Sequence, residues 1–366
     1  MNAAAAARTG PWADVLEDRG HNVTVLTSRE ATGEGDPRVW ISRSGAPSNR
    51  VGLARRFLQE VRLGRDVARE LCRRAHELDL AVITSPPFFF ATLCAKVARR
   101  CALPYVFDVR DRYPGVLFEL GLLSRAGLPG KWLSRMERRA YAGAGLISTV
   151  THSLLDELVE VAGLEKVFRV PNGFDGVLFP KELTGKRKRE NFTVVYHGRF
   201  SRLHDVDALR RLAVVTRRLD AEVRFVVAGP VPGDLREGDW GATTFLGELP
   251  RGEIPGLLGE CHLGVSLMKP SGATRVAMPA KVFEYLGVGL PVLAAPEGEL
   301  LELLREREIG LAFDSVDPQA MAEAVVSLKN DAEAWARMSS KARALRPELD
   351  RRTIAVNFAE RLESLA

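Results

Sequence analysis

The stretch Met278-Pro279-Ala280-Lys281-Val282-Phe283-Glu284-Tyr285-Leu286-Gly287 sets a base and an acid about one helical turn apart. Pro279 suits a helix start, and Gly289 suits its left-handed stop before a buried strand at Val292. Glu284 then lies one turn in, near the positive end of the helix. A carboxylate there can accept two hydroxyls of a ribose, or it can simply complement the helix dipole. Lys281 can meet phosphate oxygens at a helix start that itself attracts anions.

A second set is His197-Gly198-Arg199-Phe200-Ser201-Arg202, directly after an apolar run at Thr193–Tyr196. A strand ending in Gly198-Arg199 at the carboxyl edge of a parallel sheet points side chains into a ligand crevice. Arg199 and Arg202 there can neutralise a diphosphate leaving group, or serve as surface ion-pair partners. A third set is Tyr105-Val106-Phe107-Asp108-Val109-Arg110-Asp111-Arg112-Tyr113-Pro114. Charged residues that end an apolar strand are seldom core, so Asp108, Arg110, Asp111 and Arg112 are expected at a sheet edge. Asp111 can steer or deprotonate an acceptor hydroxyl, or pair with a neighbouring arginine. The stiff run Ser85-Pro86-Pro87-Phe88-Phe89-Phe90 can line an acceptor groove, although its aromatics read more simply as core. Asp205 and Asp207 open a helix, where Asp is a favoured cap, and so are not read as a metal pair. There is no Walker loop, no Gly-x-Gly-x-x-Gly and no metal-spaced histidine pair.

The elements that must carry these residues alternate. Val23–Leu26, Ala81–Ile83, Tyr105–Asp108, Gly145–Thr149 and Val167–Val170 read as buried strands, with helical stretches between them. The pattern restarts with strands at Thr193–Tyr196, Val223–Ala228, Thr243–Leu246, Leu263–Leu267, Val292–Ala294 and Gly310–Phe313. Such alternation predicts an α/β chain of two doubly wound parallel-sheet domains. The domains are expected over 1–175 and 176–345, with a last segment, 346–366, crossing back to the first. The run Gly185-Lys186-Arg187-Lys188-Arg189-Glu190 near their border reads as a solvated linker and not a nucleic-acid patch, since no aromatic residue interleaves it. The first domain starts unusually, with the helix-like Ala3–Asp18 ahead of any strand, so its opening strand and phosphate-facing loop are missing. That omission predicts two unpaired strand edges.

With 366 residues, 46% hydrophobic and 27% charged, the chain is neither disordered nor fibrous, and its apolar runs are too short to cross a bilayer. No signal peptide is read at the start, and Cys72, Cys94, Cys101 and Cys261 read as reduced core residues, which together predict a cytoplasmic protein. Residues 50–139 carry 18 Lys and Arg against 9 Asp and Glu. Arg55, Arg56, Arg62, Arg65, Arg69, Arg73 and Arg74 lie opposite Phe57, Leu58, Val61, Val67 and Leu71, and Lys131–Arg139 adds Trp132 and Met136. Such stretches either lie on an anionic membrane surface or are ordinary solvated helix faces.

In order along nearly the whole chain, these segments resemble the GT-B-fold retaining glycosyltransferases of family 4, and most of all their bacterial polysaccharide, N-acetyl-fucosamine transferase-like subgroup. The resemblance is carried by Arg19-Gly20-His21-Asn22-Val23, Thr84-Ser85-Pro86-Pro87, Asp108–Pro114, Val170-Pro171-Asn172-Gly173-Phe174-Asp175, Gly198-Arg199-Phe200 and Pro279-Ala280-Lys281-x-x-Glu284-Tyr285-Leu286. It implies two Rossmann-like domains facing across a cleft. It further implies retaining transfer of a sugar from a nucleotide-sugar, UDP-linked by preference, without a metal or other cofactor. The donor would be held by Gly198, Arg202, Leu249, Ala280 and Lys281, with Arg199 on the diphosphate and Glu284 on the ribose. Asp111 would act on the acceptor side beside Ser85 and Arg110. The acceptor would be lipid-linked or polysaccharide, at the inner face of the cell membrane, with no nucleic acid as partner.

Three departures stand beside that resemblance. Eight residues before Glu284, where the family places a second Glu, this chain has Val276. The family's lysine five residues after Arg199 is His204 here. The opening strand is absent. Together they leave one alternative, a degenerate, non-catalytic paralogue acting as a binding protein. A sugar-nucleotide 2-epimerase on the same fold would need acid/base carboxylates and a histidine that do not stand out in the sequence.

Overall fold

The apolar runs become parallel strands in both halves of the chain. The computed structural model describes residues 3–29, 38–48, 51–111, 113–119, 121–185, 188–201, 203–231 and 233–365. The chain divides into two compact units, Met1–Pro171 with Ile354–Ala366, and Asn172–Thr353.

In the first unit, among the described residues, β1 (Val25–Thr27) pairs only with β2 (Val39–Ile41). A separate four-stranded parallel sheet runs in order through β3 (Ala81–Ser85), β4 (Tyr105–Val109), β5 (Leu146–Thr149) and β6 (Val167–Arg169). The helix Ala3–Asp18 precedes them all. Among the described residues β3 pairs on one side only, and Val82 within it is 37% exposed. The strand β2, three half-buried residues, is not among the predicted strands.

The helix Ala3–Asp18 packs beside the last helix, Arg351–Glu363, through Trp12 and Val15 against Ile354, Phe358 and Leu362. Its Arg8 overturns one expectation. Asp108 is not at an exposed sheet edge but fully buried, gripped by Arg8 through Nε at 3.2 Å and Nη2 at 2.9 Å. Arg8 also donates to the carbonyls of Val170 and Pro171, while Ser148 and Thr84 donate to the carboxylate. Desolvation pushes the Asp108 carboxyl up, but the charge and bonds of Arg8 outweigh it and hold it below its usual range.

The second unit carries β7 (Thr193–His197), β8 (Arg224–Ala228), β9 (Thr243–Gly247), β10 (Leu263–Leu267), β11 (Val292–Ala295) and β12 (Gly310–Ala312), all parallel. Their order is β12-β11-β10-β7-β8-β9, so the winding reverses between β7 and β10. Every residue of β7, β10 and β11 is buried, which is why these strands read as unbroken apolar runs.

Two further expectations are corrected. Lys188 is no free linker residue: its Nζ donates to the carbonyls of Gly259 and Cys261 and lies 5.3 Å from the Trp335 ring centre. Lys186 and Arg187 lie outside the described residues. Cys94 and Cys261 are core, but Cys72 is exposed and Cys101 half-buried, with their sulfurs 3.5 Å apart. Phe88 and Phe89 are buried at the start of the helix Phe88–Arg100, as core.

Candidate functional site

Where a doubly wound sheet reverses direction, the carboxyl ends of its two middle strands open a crevice. In the second unit that point lies between β7 and β10, and the helix Ala280–Gly287 stands beside it. β7 ends in His197, after which Gly198 turns with φ +109°. The next strand ends in Gly229, whose φ is +140° and whose Cβ, if it had one, would lie 2.3 Å from the carbonyl oxygen of Gly198. Only glycine fits there, and the two turns leave a shelf of bare backbone.

The helix brings its side chains to this shelf. Glu284 Oε2 lies 3.0 Å from His197 Nε2, close enough for an ion pair but not aligned as a hydrogen bond. Next to it in sequence, Tyr285 is fully buried and accepts the His197 backbone N–H at 3.2 Å. Gly264 of β10 makes room, since a Cβ there would meet the Tyr285 ring at 2.5 Å. Lys281 is 8% exposed and runs under the Gly198 turn, with its Nζ 3.7 Å from the Tyr196 ring centre and 3.2 Å from His204 Nε2. Burial lowers the Lys281 amine to about 7 against the opposing pull of Glu284. Burial first, and the Lys281 charge second, push the His204 imidazole down to about 4.

The other expected donor-side residues are less engaged. Arg199 is exposed and pairs with Glu248 at 3.3 Å. Arg202 lies outside the described residues. Ala280 opens the helix, and Leu249 is partly buried against the core of this unit. Val276, which ends the short helix Gly272–Arg275, supplies no carboxylate. Asp205 caps the helix Val206–Leu219 by accepting the Ala208 N–H at 2.9 Å, as its sequence position predicted.

In the first unit, Ser85 ends β3 and is buried, and its carbonyl accepts the Arg110 backbone N–H at 3.0 Å. The Arg110 Nη2 donates to the Pro86 carbonyl at 3.4 Å, while its buried Nε has no partner among the described residues. Asp111 follows at the surface. Desolvation raises its carboxyl, and the charges of Arg110 and Arg56 oppose that rise. Arg112 lies outside the described residues. Beside Asp111, Phe57, Phe88, Phe89, Tyr113 and Trp132 form an aromatic cluster in which the buried Tyr113 hydroxyl has no described partner.

His197 heads the second set read from the sequence but has no role assigned there, and the contacts of Tyr196 and His204 with Lys281 are not predicted. A histidine closing a strand just before Gly-Arg was the available sign for the first. The other two depend on the register between β7 and the helix 280–287.

Two family models match the chain: a glycosyl transferase 4-like domain over residues 4–173, and glycosyl transferases group 1 over residues 191–331. No curated protein matches it. Among solved structures, Anabaena Alr3699/HepE in complex with UDP is 20% identical, with TM-score 0.67, covering 93% of this chain and 100% of that one. It is also similar in complex with UDP-glucose. Sucrose-phosphate synthase from Thermosynechococcus elongatus is 16% identical, with TM-score 0.67 over 97% of this chain and 91% of its own. WaaG, a glycosyltransferase involved in lipopolysaccharide biosynthesis, is 14% identical, with TM-score 0.64 over 96% and 94%. At these identities the likeness is one of fold.

Proposed function

The chain is a GT-B glycosyltransferase, a 4-like domain followed by a group 1 domain, and on that premise we propose that it moves a sugar from a UDP-sugar to a lipid-linked or polysaccharide acceptor, with retention at the anomeric carbon. The observation that carries the donor side is the meeting of Glu284, Lys281 and His197 under the Gly198 turn, at the point where the second sheet reverses.

In this reading Glu284 accepts the ribose hydroxyls and stands fixed beside His197. The bare backbone of Gly198 and Gly229 lets the diphosphate approach closely, at the start of the helix 280–287. Lys281, with Arg199 and Arg202, stabilises the charge that grows on the diphosphate as the sugar leaves. No metal or other cofactor takes part. Asp111 acts on the acceptor hydroxyl, with Ser85 and Arg110 shaping the backbone beside it. A non-catalytic role is not favoured, because the family match runs through the first unit as well as the second.

The membrane part of the proposal draws support from one surface of the first unit. Leu128 is 84% exposed and Trp132 is 55% exposed, among exposed Arg125, Lys131, Arg135 and Arg138. Amphipathic basic surface of this kind suits anionic headgroups at the inner face of the cell membrane. If changing Arg55, Lys131 and Arg135 to Glu leaves vesicle association unaltered, this part is wrong.

The donor reading is tested by thermal unfolding with UDP, GDP, ADP and CMP. A ligand at about 100 times its dissociation constant adds ~2.7 kcal/mol. A rise with UDP that disappears in Glu284→Ala supports the reading, and no rise with any nucleotide removes it. Transfer from labelled UDP-sugars to lipid-linked acceptors, with the anomeric configuration of the product read by NMR, then tests the remainder.

A further inference from the structure

His204 stands where its family's lysine is expected, and its hydrogen bonds restrict what Lys281 can be. The backbone N–H of Ser201 points at His204 Nδ1 from 2.9 Å. A backbone N–H can only donate, so Nδ1 accepts. A neutral imidazole with Nδ1 as acceptor carries its proton on Nε2, which therefore donates. The atom facing Nε2, at 3.2 Å, is Lys281 Nζ. An ammonium has three donors and no lone pair, so it would meet that N–H donor to donor. An uncharged amine has the lone pair the contact requires.

From this geometry we infer that Lys281 is an uncharged amine in the free protein, held by His204, and that it takes up one proton when a nucleoside diphosphate binds at the Gly198 turn. The inference rests on the donor reading above.

The surroundings agree from each side. The loop bearing His204 is pinned across the end of β10, where Asp205 N–H donates to the Leu267 carbonyl and Lys269 N–H to that of Leu203. His204 therefore cannot swing away freely. From β7, the uncharged Tyr196 ring covers Nζ and favours the ammonium modestly. On its own helix, the charge of Glu284 also favours the ammonium, but Glu284 faces His197. Burial works against both and prevails. An arriving diphosphate changes that balance by placing anionic acceptors within reach, and the amine takes a proton from solvent. Below about pH 7 the free amine is already protonated and no uptake is needed. Above it each binding event must draw a proton, so affinity falls as pH rises, by up to about tenfold per unit.

Two measurements decide the matter. In the first, 15N-histidine NMR of the free protein should show His204 as the Nε2–H tautomer between about pH 7.5 and 9, where Lys281 is uncharged. A His204 that carries its proton on Nδ1, or that titrates near 6.5, overturns the inference. In the second, calorimetry of UDP binding at pH 8, in buffers of different ionisation enthalpy, should give close to one proton taken up per nucleotide. The terminal phosphate, with a second pKa of about 6, is already ionised there. Lys281→Arg is always charged and should bind UDP with no uptake and with affinity flat between pH 7 and 9. Uptake near zero in the wild-type protein, or equal uptake in Lys281→Arg, overturns the coupling and leaves the donor site standing. No binding of UDP, with the His204 tautomer as expected, overturns the donor reading and the coupling with it.

Discussion

His197 and Glu284 come from separate elements, the last residue of β7 and the middle of the helix 280–287, yet their side chains stand 3.0 Å apart. The strand end is held to the helix by a bond from the His197 N–H to Tyr285, so backbone and side chain of one residue address neighbouring residues of the other. Glu284→Ala is expected to weaken UDP binding by tenfold or more, the scale of ~1.5–3 kcal/mol for hydrogen bonds to a charged group. His197→Ala should weaken it less. In the double variant the two losses should fall short of adding, by about 0.5 kcal/mol or more, as they do for residues in contact. Strict additivity in titration calorimetry would separate His197 from the site.

The turn at Gly229 gives a sharper test of the shelf. Gly229→Ala sets a Cβ against the Gly198 carbonyl in a conformation that side chains rarely adopt. A loss of about 1–3 kcal/mol in urea unfolding is expected, with nucleotide binding impaired in what remains folded. Gly233→Ala, which meets nothing within 4 Å, should stay within about 0.5 kcal/mol of the wild type.

Arg8 and Asp108 form a buried pair, and removing one partner strands the other. Arg8→Leu should cost about 3–5 kcal/mol, and adding Asp108→Leu should recover much of it. The sign of the pH effect follows from the lowered carboxyl of Asp108. Its stabilising contribution is complete above the unfolded value of about 3.9 and is lost as pH falls through the folded value. Chemical unfolding of wild type and double variant between pH 2 and 6 should show a steeper fall in the wild type, the difference between the two being the part due to Asp108.

Cys72 and Cys101 are placed to bond. Their sulfurs are 3.5 Å apart, and Cys72 is exposed to reagent. Hydrogen peroxide should oxidise the pair to a disulfide, each equivalent taking one hydrogen from each thiol and leaving as two waters. Intact-mass analysis should show the loss of two hydrogens, reversed by dithiothreitol and absent in Cys72→Ser.

The fold was legible in the sequence wherever burial was continuous. β7, β10 and β11 are covered on both faces, and their apolar runs read directly as strands. β2, three half-buried residues, left no such trace. Asp108 misled for a physical reason: the residue that makes its burial tolerable, Arg8, lies 100 positions away. Glu284 and Lys281 were legible because both lie on one helix, where spacing alone gives their geometry. His197 and His204 were not, because a single histidine shows its role only when sheet register brings it to a partner. Lys188 read as linker for the same reason, since the carbonyls that hold it belong to Gly259 and Cys261.

The pairing of the helix Ala3–Asp18 with residues from Ile354 onward has a consequence for the order of events at the ribosome. Trp12 needs Phe358, whose ring lies 4.2 Å away centre to centre, and Arg19 needs Glu363 at 2.6 Å. The second unit occupies one unbroken stretch, and all of it emerges before those residues do. The half of the protein made first is therefore the half completed last, a reversal of the usual N-terminal-first sequence. Throughout translation it carries an open apolar face, of Trp12, Val15, Val106 and Val170, that only the final turns of the chain can close.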